Sequence, residues 1–274
     1  MRYQEHPPPP AVAAHVACLW TLTGTAPRPA FALILPDGRP ELVVHRGDRF
    51  RQRPAVGPSR LQPRRLVVGQ MTHGVAIAPG RRVESLGIRF TPAGLAPLCP
   101  FPQAQLVDRL ADVVDVAAPL LQQLAAAAAD APTLGAAVAA LRQVLPAVFA
   151  AGRPVDPRVV AAVDRVAADG GTLSMAVLAR STGTSVRWLE RHFLASVGVS
   201  PKRLARLVRF RRVVAALDAD RHRAGVDVAL DHGYCDQAHF IAEFRAFAGD
   251  APKRFVEHRL AELTRFFVDR RAAR

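Results

Sequence analysis

Cysteine is scarce in this 274-residue sequence: Cys18, Cys99 and Cys235 are odd in number and far apart, and no Cys-x-x-Cys occurs. That excludes a disulfide framework and a cysteine zinc site, and predicts reduced thiols in a cytoplasmic protein. No basic stretch followed by an apolar run opens the sequence, so no export signal is expected. The most apolar stretch, residues 117–151, is broken by Gln122, Gln123, Asp130, Arg142 and internal prolines. It is therefore not a simple membrane span. Catalytic patterns are missing too: there is no GxSxG, no HExxH and no phosphate loop, and the nine histidines are scattered. His15 and Cys18 have metal-like spacing without a second pair, and read as a surface histidine and a core cysteine. His45 beside Glu41 is at most half a metal site, with no His-x-His to complete it. The expectation is a protein with no catalytic residue, metal or cofactor. A DNA-repair enzyme would also need a cysteine cluster that is absent.

Lysine is nearly absent, at 2 residues against 35 arginines, yet the net charge is +14 and the pI about 11.3. Such a balance favours anionic partners, nucleic acid or a membrane surface, although an Arg-, Ala- and Pro-rich composition carries part of it as background. The excess divides evenly between residues 1–154 and 155–274, so net charge does not locate a site. Local clustering does: eight basic residues and a single acid, Glu190, lie between Arg187 and Arg212.

The length suits two domains with a core each. Pro7–Pro10 reads as a stiff surface arm. Strands are predicted at Val16–Thr23, Phe31–Leu35, Glu41–His45, Leu66–Gln70, Val75–Ala78 and Val83–Phe90, with period-2 alternation clearest at Leu86, Ile88 and Phe90. Short strands with Gly/Pro turns such as Pro36–Pro40 predict a small β-barrel or sandwich. Helices are predicted at Leu106–Val116, Pro119–Ala129 and Ala131–Ala150, the last kinked or ended by Pro146. Ala151–Pro154 is the expected linker, and it and the helices of 119–150 are the expected place of coupling between the domains. The fold class is thus α+β, with a β-rich domain and its helices at 1–152, an all-α domain at 155–259, and a helical extension at 260–274.

The last third repeats one pattern 51 residues apart. Trp188, Leu189, Phe193, Val197, Gly198, Pro201, Lys202, Arg203 and Leu204 correspond to His239, Phe240, Phe244, Ala248, Gly249, Pro252, Lys253, Arg254 and Phe255. Both lysines of the chain fall at the same corner of the two copies. In the first copy, residues 173–180 form a short helix, Ser181–Thr184 a turn, and Ser185 the N-cap of a helix with Leu189, Phe193 and Val197 inward. In the second, residues 226–231, the turn 232–235, the cap Asp236 and the helix 237–248 repeat the plan, with Phe240 and Phe244 inward. This is helix–turn–helix spacing, twice. Pro201–Leu217 between them carries no breaker and predicts one helix of about 25 Å. The two recognition helices would then lie roughly one DNA turn, about 34 Å, apart.

On these residues, the stretch 155–259 resembles the DNA-binding domain of the AraC/XylS family of transcription regulators. The most specific match is Gly233-Tyr234-Cys235-Asp236-Gln237-Ala238-His239-Phe240 followed by Phe244-Arg245, Gly249 and Pro252. Leu35–Val43 and Gly87–Phe90 resemble, less specifically, a β-rich sensor domain found ahead of it in many bacterial regulators. The resemblance implies sequence-specific binding of double-stranded DNA, with bases read by Arg187, Glu190 and Arg191. Arginine can bond guanine bidentately and glutamate can accept from cytosine, although Glu190 could instead pair with Arg187 or orient Arg191. In the second helix the corresponding positions are Gln237, Ala238, Ile241 and Ala242, chemically poorer. Ser185, Lys202, Arg203, Arg206, His239, Lys253 and Arg254 are backbone-contact candidates. Arg209, Arg211 and Arg212 cannot all face DNA from one helix. Trp20, Phe31 and Phe50 are candidates for an effector pocket. A small-molecule effector, RNA polymerase and a second copy of the chain are candidate partners; the alternative is an N-terminal domain that only dimerises.

Overall fold

The computed structural model describes residues 1–26, 30–53, 57–220 and 225–258, so the helical extension expected at 260–274 lies outside the described residues. The N-terminal half is built from ten short strands among the described residues. They are β1 (Arg2–His6), β2 (Val16–Thr25), β3 (Ala32–Ile34), β4 (Glu41–His45), β5 (Arg51–Arg53), β6 (Arg60–Leu61), β7 (Arg65–Val68), β8 (Val75–Ala78), β9 (Arg82–Phe90) and β10 (Leu110–Asp112). One sheet has the order β1-β2-β9-β4-β7-β10, the other β3-β8-β5-β6, with every pair antiparallel.

Strand alternation divides the apolar residues between two cores. Leu19, Leu42, Val44, Leu86, Ile88 and Phe90 face two helices, α1 (Pro119–Asp130) and α2 (Leu134–Ala150), and meet Leu121, Leu124, Leu141 and Leu145 there. Their neighbours Cys18, Trp20, Leu22 and Val43 turn to the opposite face, with Phe50, Leu66 and Val83. Gly87 lies directly under the Trp20 indole, where a Cβ would overlap the ring. The strand therefore needs glycine at that point for close approach.

Three N-terminal expectations are corrected. Residues 106–116 are not a helix. A 3-10 turn at Gln103–Leu106 leads to β10, and a second turn at Val113–Asp115 is closed by the Asp112 carboxylate accepting from Val114 N at 3.2 Å. Leu106 and Val113 reach the core from this irregular path, so inward spacing alone imitated a helix. Pro146 does not end α2, which continues to Ala150. The proline run is not a free arm: Pro10–Val12 form a 3-10 turn with Val12 buried, and Arg142 of α2 donates to the Pro7 carbonyl.

The C-terminal half is helical: α3 (Pro157–Asp169), α4 (Met175–Ser181), α5 (Val186–Ser196), α6 (Pro201–Ala219), α7 (Gly225–Asp231), α8 (Gln237–Ala248) and α9 (Pro252–His258). Helix α3 is not among the elements expected from the sequence. Its signals are nonetheless regular: Asp156 caps it by accepting from Arg158 N at 2.9 Å, Pro157 opens it and Gly170 closes it. Two cores follow. Val159, Val163, Val166, Leu178, Leu189, Phe193 and Leu204 close the first unit. Phe210, Val213, Leu217, Val228, Phe240, Phe244, Phe247 and Phe255 close the second. Helix α6 serves both, with Leu204 at one end and Leu207 to Leu217 along the other. The architecture is α+β, a β-rich region with two helices followed by an all-α region. No helix among the described residues is long and apolar enough to cross a membrane.

Candidate nucleic-acid interface

In the first unit, Ser174 caps α4 by accepting from Val177 N at 3.3 Å. The turn is closed by Thr184 N donating to Ala179 O at 2.9 Å. The Ser185 hydroxyl then accepts from Trp188 N at 3.1 Å and starts α5. With Leu189 and Phe193 fully buried, the helix is fixed in rotation. That leaves Arg187, Glu190 and Arg191 exposed. Glu190 makes no ion pair with either arginine. Beside them Trp188 stacks on the His192 ring at 3.8 Å, and the Arg158 guanidinium lies over its ring at 4.2 Å.

The second unit repeats the geometry. Tyr234 N donates to Ala229 O at 3.1 Å across the turn. Asp236 accepts from His239 N at 2.7 Å and starts α8. Phe240, Phe244, Phe247 and Ala248 point inward. Gln237, Ala238, His239 and Ala242 are exposed, while Ile241 is half-buried against the core. The repeated corner is visible as well. Gly198 and Gly249 both adopt left-handed φ (93° and 73°), and Pro201 and Pro252 open α6 and α9. A left-handed residue after a helix is cheap only for glycine.

The basic candidates at these corners separate. Lys202, Lys253 and Arg254 are exposed, the last 3.7 Å from Asp250. Arg203 instead donates to Thr72 O at 2.8 Å and lies 5.0 Å over the Phe247 ring. Arg206 is spent on Glu243, with Nε to Oε2 at 2.6 Å. Glu243, which the sequence reading missed, is 2% exposed and forms a hub. Arg209 donates to it at 3.2 Å, the Tyr234 hydroxyl at 2.8 Å, and His239 Nε2 lies 3.7 Å away. Burial pushes its carboxyl up, but the bonds from Arg206 and Tyr234 and the charges of Arg209 and Arg206 outweigh this, and the net shift is down. The signal was present in the sequence: Glu243 sits three residues after Phe240 on the apolar stripe, where a carboxylate needs a partner.

The N-terminal region touches both units directly, and not only through the linker. Leu35 is a member of the second unit's core, and Gly74 N donates to Phe247 O at 2.8 Å. Ala93 joins the first unit's core. A cavity of about 110 Å³ lies against α6, between the strands and the side chains of Arg211 and Val214. Trp20 and Phe50 line it. Phe31 is not among its walls; the Arg53 guanidinium covers its ring at 4.1 Å. At one end Arg89 holds Glu41 at 2.8 Å, Glu5 at 3.3 Å and Asp37 at 3.7 Å. Burial raises the Glu41 pKa, with Arg89 opposing it. Elsewhere in the wall His45 contacts Ser85 Oγ and Gln62 Oε1, both at 3.0 Å. Burial, with the charges of Arg64 and Arg49, pushes the His45 pKa down to about 4 against the pull of Gln62. Among the described residues no three His, Cys, Asp or Glu side chains are grouped to hold a metal.

Residues 178–258 match the family model described as a helix-turn-helix domain. Residues 4–112 match a model described as a domain of unknown function. No curated protein matches the chain. Solved structures similar to it include ToxT from Vibrio cholerae, 9% identical, with 94% of this chain and 98% of that one covered at a TM-score of 0.45. Another is ToxT bound to (E)-4-(8-methylnaphthalen-1-yl)but-3-enoic acid, 9% identical, with 94% and 99% covered at 0.46. The AraC-like transcriptional activator CuxR is 15% identical, with 72% and 76% covered at 0.28.

Proposed function

We propose that the chain is a DNA-binding transcription regulator of the AraC type and a sequence-specific reader of double-stranded DNA, a reading supported by the helix-turn-helix match over residues 178–258. Its two units enter successive major-groove segments on one side of the duplex. The observation that carries this reading is the face of α5: Arg187, Glu190 and Arg191 are exposed on a helix fixed from behind by Leu189 and Phe193. Donors held in that way can meet base edges without first breaking an ion pair. Gln237, Ala238, Ile241 and Ala242 form the second, weaker reading face. Lys202, Lys253 and Arg254 serve phosphates, with the Ser185 corner and His239 beside the backbone.

The N-terminal region is the signal-receiving part, and a small molecule in the cavity against α6 is its input. The cavity has walls from both regions, so an occupant has a physical route to bias their arrangement. A ligand indifferent to two arrangements would shift nothing. The boundaries that follow are a sensor region at 1–152 and a reader at 155–259. RNA polymerase and a second copy of the chain are proposed partners.

The test is a mobility shift with the full chain on duplexes selected from a random library. Affinity should be sequence-dependent and should fall steeply between about 50 and 200 mM salt, as phosphate contacts release counterions. Equal affinity for all duplexes would overturn the reading.

A further inference from the structure

The chemistry of the cavity against α6 narrows what it can hold. Its walls are mainly apolar, with Ile34, Val43, Leu66, Val68 and Ile77 from the sheets and Val214 from α6. Trp20 and Phe50 supply ring faces. The volume, about 110 Å³, is of the order of the roughly 150 Å³ cavity known to take benzene. It is smaller than that cavity and suits a single small ring.

Charge decides the rest. The Arg89 guanidinium, 6% exposed, is already held by three carboxylates, those of Glu41, Glu5 and Asp37. An entering anion would have to displace one of them while lying against Asp37 and Glu41 in the same wall, and the other two arginines there, Arg39 and Arg211, already have partners of their own. An entering cation would meet Arg39, Arg89 and Arg211, which also line the cavity. Either ion would be desolvated without a dedicated counter-charge, which is costly. The remaining polar groups are neutral ones, the chain Ser85–His45–Gln62. Each oxygen in that chain has a second lone pair, so it can take a further hydroxyl or amide.

We infer that this cavity takes an uncharged, one-ring apolar molecule with a single hydroxyl or amide group, seated between the strands and α6. This rests on the reading of the N-terminal region as a sensor, and it names the ligand class of that site.

The test uses three probes that share a ring and differ in charge: benzyl alcohol, benzoate and benzylammonium. Each is titrated into the full chain at pH 7 and followed by calorimetry and thermal shift. Benzyl alcohol should bind at millimolar Kd or tighter, at least tenfold more tightly than either ion, and should raise Tm with dose. Met71→Trp and Val68→Phe each put bulk into the cavity from a half-buried wall position. Each should abolish the shift, and the unliganded Tm and circular dichroism of both identify a variant that failed to fold. A charged probe that binds as well as the alcohol overturns the ligand class and leaves the sensor reading standing. No binding by any probe at about 10 mM, or binding that survives in both filled variants, overturns the site itself. The DNA mobility shift is independent of every one of these outcomes, so the regulator reading stands or falls separately.

Discussion

The two helix–turn–helix units share a plan and differ in what supports them and what they present. The first closes over a mainly aliphatic core that includes Phe193, and offers two arginines and a glutamate on α5. The second is packed with phenylalanines, takes Leu35 from the β-rich region into its core, and buries a carboxylate at Glu243. Its outward face carries Gln237 and small or apolar groups. Equal spacing therefore does not mean equal reading. We propose that the first unit discriminates bases; both units take residues of the N-terminal region into their cores, Ala93 in the first and Leu35 in the second, and the second is held in addition by the buried Glu243.

The largest effect should come from breaking the hub. Glu243→Ala leaves Arg206 and Arg209 facing a void, and removing one partner of a buried charge cluster costs roughly 3–5 kcal/mol. Chemical denaturation of the full chain measures it; a loss below about 1 kcal/mol would put the second unit's support elsewhere. The same group predicts a pH dependence. Its folded pKa is depressed, so the stability it contributes is present above the unfolded carboxylate value of about 4.3 and is lost as pH falls through the lower folded value. Glu243→Gln should flatten that acid limb.

Leu35→Ala follows in size. Leu35 is 6% exposed among Phe210, Phe244 and their neighbours, and truncating a buried leucine costs about 2–5 kcal/mol. Hydrogen exchange should show the added opening in α7–α8 rather than in α4–α5. Uniform loss of protection in both units would erase the distinction between them.

Arg191→Ala is smaller and changes binding, not folding. It should cost about 1–3 kcal/mol of affinity and relax one base position, as read by mobility shift on a point-mutated duplex set. Smallest is Ala242→Gly, which should leave base preference unchanged in the same assay. A change as large as that of Arg191→Ala would give α8 a reading role that its side chains do not suggest.

Much of this was legible because the signals are local. Strands were expected at β2, β4, β8 and β9, with alternation clearest in β9, and the caps Ser185 and Asp236 marked the starts of α5 and α8. What escaped depends on contacts between distant residues. Strands β5 and β6 are short and arginine-rich, and exist only by pairing. Leu106, Leu110 and Val113 have helical spacing, but Leu110 belongs to a strand paired with β7. Arg203 and Arg206 looked like free corner cations, yet their partners, Thr72 and Glu243, are 131 and 37 residues away. The cavity combines Trp20 and Phe50 with Arg211 and Val214, a pairing that spacing along the chain cannot suggest.

The inequality of the two units is tested most directly by selecting binding sites for the full chain from a random duplex library and reading base preference position by position. Strong preference is predicted across the few base pairs under α5, with weak preference one turn away under α8. Equally sharp preference in both segments, or preference only under α8, would contradict the account.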